Sequence, residues 1–164
     1  MAKKLNISSD LTEGYQLYSI VSPLADYRLS FFINAHTGLK LKKYADMSWE
    51  KQGTVAHVSW YYYHDNHMST SYYLIGNRYE GTFLIPALQK IDFLFLVKSP
   101  LGADAIEQTL TKIRRIQQVF AVLKQQLDSL SLASEFLEVN EMHELDQVIK
   151  PAKKERYNKK SRRR

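Results

Sequence analysis

The stretch LIPALQKIDFLFLV, residues 84 to 97, decides the fold. Pro86 cannot donate to a sheet ladder, so it ends whatever precedes it. Beyond it, Ile91, Phe93, Phe95 and Val97 fall on one face of an extended chain, while Leu94 and Leu96 fall on the other. Apolar residues on both faces predict a strand covered on both sides, or one at a crowded corner. Asp92 breaks the run. A carboxylate just after a proline turn is placed to accept backbone N–H bonds from residues 87 to 90, and a buried polar group needs such partners. Catalysis would need a second acid, a base or a metal ligand in register, and the neighbouring sequence offers none. The expected role of Asp92 is to anchor the turn.

Upstream, YQLYSIVS (residues 15 to 22) is rich in Tyr, Ile and Val and reads as a strand. Ser22-Pro23 then has the form of an N-cap with proline at the first helical position. Leu24, Tyr27, Phe31, Phe32 and Ala35 follow as a helical stripe, and Gly38 supplies the stop, giving a helix over roughly residues 23 to 37. Residues 54 to 63 and 68 to 75 form the clearest hairpin, turning at Asp65-Asn66. That turn pairs Tyr63 with Met68, Trp60 with Ser71 and Val58 with Tyr73. The core face then carries Ala56, Val58, Trp60, Tyr62, Tyr73 and Ile75, and the wetter face carries Val55, His57, Ser59, Tyr61, Tyr63, Thr70, Tyr72 and Leu74.

Downstream, residues 104 to 114 read as a second helix with Ile106, Leu110 and Ile113 buried, and Asp104 and Glu107 at capping-box spacing. Ile113, Ile116, Phe120, Leu123, Leu127 and Leu130 continue three and four apart without Gly or Pro. Pattern alone makes this one long helix with a dimerising stripe.

A chain of 164 residues, 45% hydrophobic and 24% charged, has the composition of one globular domain with a core large enough to need no staples. There is no cysteine, which excludes thiol catalysis and zinc ribbons and fits a reducing cytoplasm. The N-terminus lacks the apolar stretch of a secretory signal, and no run is long enough to span a bilayer. No membrane partner and no cofactor is implied.

The net charge of +6 is unevenly held. Residues 150 to 164, KPAKKERYNKKSRRR, contain nine Lys/Arg against Glu155 alone, or +8, while residues 1 to 149 hold 14 basic and 16 acidic side chains, or −2. Lys150, Lys153, Lys154, Arg156, Lys159, Lys160, Arg162, Arg163 and Arg164 are therefore candidate contacts to a polyanion such as RNA or a ribonucleoprotein. With almost no apolar residues, residues 141 to 164 are expected to be a disordered tail on a single domain of residues 14 to 140, preceded by an extension of residues 1 to 13.

Other candidates are weaker. His64 and His67 flank the hairpin turn, but a divalent ion wants three or four such ligands, so they read as polar turn residues and no metal is assigned. No GxGxxG, P-loop, GxSxG or HExxH pattern occurs, so no catalytic residue is named. His57, Tyr61, Tyr63 and Tyr72 share the wetter hairpin face and form a candidate interface, tyrosine being enriched at protein contacts. They lack the interleaved Lys or Arg that nucleic acid would need.

Ile85, Pro86 and Asp92, within IPALQKIDF, give this segment a form that resembles the motif of the bacterial IPExxxVDY family. Ala87 stands where that family carries glutamate, Ile91 stands for valine and Phe93 for tyrosine. The resemblance covers roughly residues 14 to 137. It implies little about activity, because the family is functionally uncharacterised. It does imply a short strand after the second helix, near residues 117 to 122. The expected fold is then α+β, a two-layer sandwich in the order β-α-β-β-β-α-β. Its mostly antiparallel sheet of about five strands carries two helices on one face, in a ferredoxin-like manner. Two functions fit. One is a non-enzymatic binding or adaptor domain, self-associating through the tyrosine face or the Ile113 to Leu130 stripe, with a tail that contacts RNA. The other is a small-ligand sensor with an incidental tail.

Overall fold

The computed structural model describes residues 12–51 and 53–162. In chain order its elements are β1 (Tyr15–Val21), α1 (Asp26–Thr37), β2 (Lys42–Lys43), β3 (Met47–Lys51), β4 (Thr54–Val58), β5 (Trp60–Asp65), β6 (Thr70–Gly76), β7 (Arg78–Tyr79), β8 (Thr82–Phe83), a 3-10 turn (Pro86–Leu88) and β9 (Phe93–Lys98). There follow α2 (Ala103–Arg114), β10 (Ala121–Gln125), a second 3-10 turn (Leu127–Ser129), α3 (Ala133–Glu144), a π turn (Leu145–Ile149) and α4 (Lys150–Ser161). The main sheet has six strands in the order β10-β1-β9-β6-β5-β2, every neighbouring pair antiparallel. Among the described residues no helix is long and apolar enough to cross a membrane.

The alternation is realised from Phe93 to Val97, whereas Ile91, expected on the face of Phe93, lies before the strand in the loop and packs on the opposite side with Leu94 and Leu96. Phe93, Phe95 and Val97 pack with Leu29 and Ile33 of α1 and with Ile106, Leu110 and Ile113 of α2. Leu94 and Leu96 pack on the other side with Trp60, Tyr73, Ile75, Met47 and Trp49. The two-layer expectation is thereby corrected: the second sheet face is covered by the β3–β4 hairpin, the loop from Leu84 to Ile91, and Phe136 and Leu137 of α3. A sheet apolar on both faces has to bury both, and helices on one side alone would leave Trp60 and Tyr73 in water.

Several local expectations shift. Helix α1 begins at Asp26, and its buried side is Leu29, Ser30 and Ile33, while Tyr27 and Phe31 are about two-thirds exposed. The aliphatic pair four residues apart, with a small serine between, seats closer to the sheet than the aromatic stripe could. Gly38 ends the helix as expected, with φ at 79°. The capping box on α2 does not form. Gly102 is the cap, and Glu107 instead pairs with Arg114 at 2.8 Å.

The hairpin is paired four residues out from the expected register, with Trp60 opposite Ile75 and Tyr63 opposite Tyr72. Asp65 Oδ1 accepts the N–H groups of His67 and Met68, which makes a wider turn than Asp65-Asn66 alone. An even shift preserves the faces, so Trp60, Tyr62, Tyr73 and Ile75 still point together. The first strand is broken at Ser59, where the chain leaves the sheet and β4 pairs with β3. Gly76 permits the kink: a Cβ there would meet Ser59 Oγ at 3.0 Å.

After α2 the chain turns instead of running on as a long helix. Ile113 and Ile116 are buried in the core, Gln118 adopts φ of 72°, and β10 forms over residues 121–125, later than the stretch from 117 to 122. The strand is present and the dimerising helix is not.

The proline motif is held from an unexpected residue. Asp92 accepts nothing from residues 87 to 90. Its Oδ2 takes the Ser22 N–H at 2.8 Å and its Oδ1 pairs with Arg78 at 2.7 Å, which ties the end of β1 to β7. The turn itself is anchored by Asn77, fully buried, whose amide donates to the Leu88 and Ile91 carbonyls and accepts from the Ile85 N–H. Pro86 opens the 3-10 turn, and Ala87 beside it is exposed.

Candidate nucleic-acid interface

The basic segment is helical, not disordered. Helix α3, the π turn and α4 form one continuous rod, because Lys and Arg are good helix formers and α3 has already nucleated the helix they extend. The π turn has a covalent cause. Pro151 has no N–H, and its ring would clash with the carbonyl four residues back, so the preceding turn widens and the Lys150 N–H bonds to the Leu145 carbonyl.

The base of the rod is fastened to the sheet by polar contacts. Trp60 donates its indole N–H to Asn140 at 2.8 Å, Tyr15 donates to Glu141 and Tyr73 to Glu144 at 2.6 Å, and His143 Nε2 meets the Ala45 carbonyl at 2.8 Å. Burial, reinforced by these carboxylates, pushes the Tyr15 and Tyr73 hydroxyls far above the ordinary tyrosine range. Burial also lowers the His143 imidazole, which packs edge-on against Trp60 with ring centres 4.7 Å apart. Contacts to the body continue through Gln147, which accepts from the Ala45 N–H, to Val148, which packs against the core, so the helix runs past the boundary expected at residue 140.

Beyond the π turn nothing of α4 is buried. Lys150, Lys153, Lys154, Arg156, Lys159 and Lys160 stand exposed along about 18 Å of helix, with Arg162 just past its end. Arg163 and Arg164 lie outside the described residues. Lys150 pairs with Asp146 at 2.8 Å. The like charges three and four apart repel one another, an arrangement that an external polyanion would relieve.

The tyrosine platform is covered. Tyr61 and Tyr72 are 4% and 7% exposed, within the core formed with α1 and α2. Tyr61 donates to Asp26, Tyr63 is half-buried and stacked on Tyr72, and His57 sits apart on β4 against Ser48. The expected face is thus mostly core, and its residues do not converge. His64 bonds Ser71 Oγ, His67 is exposed in the turn, and among the described residues no group of three or more His, Asp or Glu could hold a metal ion. An open cleft of about 440 Å³ beside Asp92 is lined by Asp26, Lys43, His57 and Arg78. Four of its charges are paired, Asp26 with Lys43 and Asp92 with Arg78, and Asp46 also lines it.

Sequence reasoning missed Asn77 and the whole docking row of α3. The row had a signal: Ala133, Phe136, Leu137 and Asn140 recur at helical spacing and are all buried. No protein-family model, curated protein or solved structure matches this chain.

Proposed function

We propose that this chain is a non-enzymatic binding or adaptor domain whose basic C-terminal helix contacts RNA or a ribonucleoprotein. We also propose kinship with the IPExxxVDY family on the strength of Ile85, Pro86 and Asp92, a kinship that supplies no reaction. One observation carries the functional reading. Nine of the 23 basic side chains lie in the last 15 residues, and the helix that holds most of them buries no residue. Exposed charge on an element with no packing role is free to meet phosphate, and each neutralised phosphate releases counterions. By contrast, Asp92, His57 and His64 are each engaged in structural bonds.

The test is RNA binding by fluorescence anisotropy at low and high salt, comparing the full chain with a variant ending at Ile149. Affinity that weakens with salt and disappears on truncation supports the reading. Equal binding by the two chains, or none by either, overturns it.

A further inference from the structure

Resting on that reading, we infer that the RNA is met as a single strand, with its phosphates along one face of α4 and an unstacked base on the Tyr157 ring. At about 100° per residue, Arg156, Lys160, Lys153 and Tyr157 fall in that order within about 100° of the helix circumference. Lys154, and Lys150 where Asp146 holds it, extend this face on the side of Tyr157, and no acid of α4 lies on it. The reverse side carries Lys159 and Arg162 with Glu155 between them, beside Asn158. The helix thus has one basic face, and one basic face follows one phosphate backbone.

Tyr157 decides between strand and duplex. Its ring is 75% exposed, on a helix that buries no residue, with basic side chains on both sides of it. It fills no core, yet it stands where a strand drawn along those charges brings its bases. Aromatic rings set among basic side chains hold single strands, because every base has a face to stack and every phosphate a charge to meet. Tyr61 and Tyr72 of the sheet cannot serve in this way, both being buried. A duplex gains nothing from the ring, since its bases are stacked on one another. Paired RNA also has a major groove too deep and narrow for side chains to read. Stacking and phosphate contact together carry no strong sequence preference.

The experiment uses the full chain and the variants Y157A, Y157F and K153Q/R156Q/K160Q. Each is titrated over a range of salt with a short unstructured RNA strand, its RNA duplex, the matching DNA strand and inorganic polyphosphate. Y157A should bind the RNA strand at least about fivefold more weakly than the parent, while Y157F, which keeps the ring, should match it. On the duplex and on polyphosphate, which present no free base, Y157A should equal the parent. The triple variant should lower the steepness of log K against log salt on the RNA strand by about 2, at about 0.7 per phosphate, and Y157A should leave it unchanged. Y157A equal to the parent on the RNA strand, or weakened as much on polyphosphate, overturns the single-strand inference and leaves the polyanion reading standing. Tighter binding of the parent to the RNA duplex than to the strand does the same. A DNA strand bound more tightly than the RNA strand overturns RNA as the partner. No binding to any nucleic acid overturns both. Because α4 buries no residue and Ala and Gln are good helix formers, helix content by circular dichroism and melting temperature should match the parent in Y157A and the triple variant, which excludes a melted helix as the cause of a loss.

Discussion

Asn77 satisfies three buried backbone groups with a single amide: the Ile85 N–H and the carbonyls of Leu88 and Ile91. No shorter side chain reaches all three, and water is excluded from the site, Asn77 itself being fully buried. Asn77→Ala should therefore cost about 3 kcal/mol, since each unpaired buried group costs on the order of 1–3 kcal/mol. Asp92 is the milder case despite its prominence in the sequence. Its partner Arg78 is 57% exposed on its side chain against 17% for Asp92, so solvent screens the pair from the arginine side. Asp92→Asn keeps an acceptor for the Ser22 N–H and should cost about 1 kcal/mol or less. Urea unfolding of both variants checks the ranking, and an Asp92 loss as large as that of Asn77 would contradict it. Gly76-Asn77 reads in the sequence as an ordinary turn pair. Nothing local says that the amide turns inward, because its three partners lie between 8 and 14 residues downstream.

Helix α3 is docked by an apolar row and a polar fringe, and the fringe makes it sensitive to acid. The His143 imidazole is held below its ordinary value of 6.5, chiefly by burial. The docked state thus favours the neutral ring, and the unfolded chain binds the proton more readily. The contribution of His143 is present above pH 6.5 and is lost as the pH falls through its lowered folded value. Urea midpoints should accordingly decline below pH 6.5, and H143Q should flatten that decline. An unchanged pH profile in H143Q would remove His143 from the docking. Element identity was partly legible. Both strands of the β5–β6 hairpin, the stop of α1 at Gly38 and the buried triplet of α2 follow from local pattern. The phase of α1 was not, because Tyr27 and Phe31 have the larger apolar area yet face solvent. A helix shows its sheet the side that fits closest, and that is decided by the sheet.

The whole molecule divides into a packed body of charge −2 and a projecting basic helix that holds most of the +8 of residues 150 to 164. Since α4 buries nothing, ending the chain at Ile149 should change the melting temperature by no more than about 1–2 °C. A larger drop in thermal unfolding would show that α4 contacts the body. The apolar run of residues 93 to 97 by itself pointed to a strand covered on both sides or set at a crowded corner, since successive side chains of a strand face opposite ways and here both sets are apolar. Charge counting likewise determined that the basicity is confined to the C-terminus. Tertiary structure decided the rest. The second layer over Trp60 and Tyr73 comes from β3, β4 and α3, elements distant in sequence whose meeting depends on shape and total buried area. It also decided that the basic segment is helical, because composition reports only that the segment cannot form a core of its own. A helix already started and fastened at Asn140, Glu141 and Glu144 removes the cost of nucleation, and Lys and Arg then extend it.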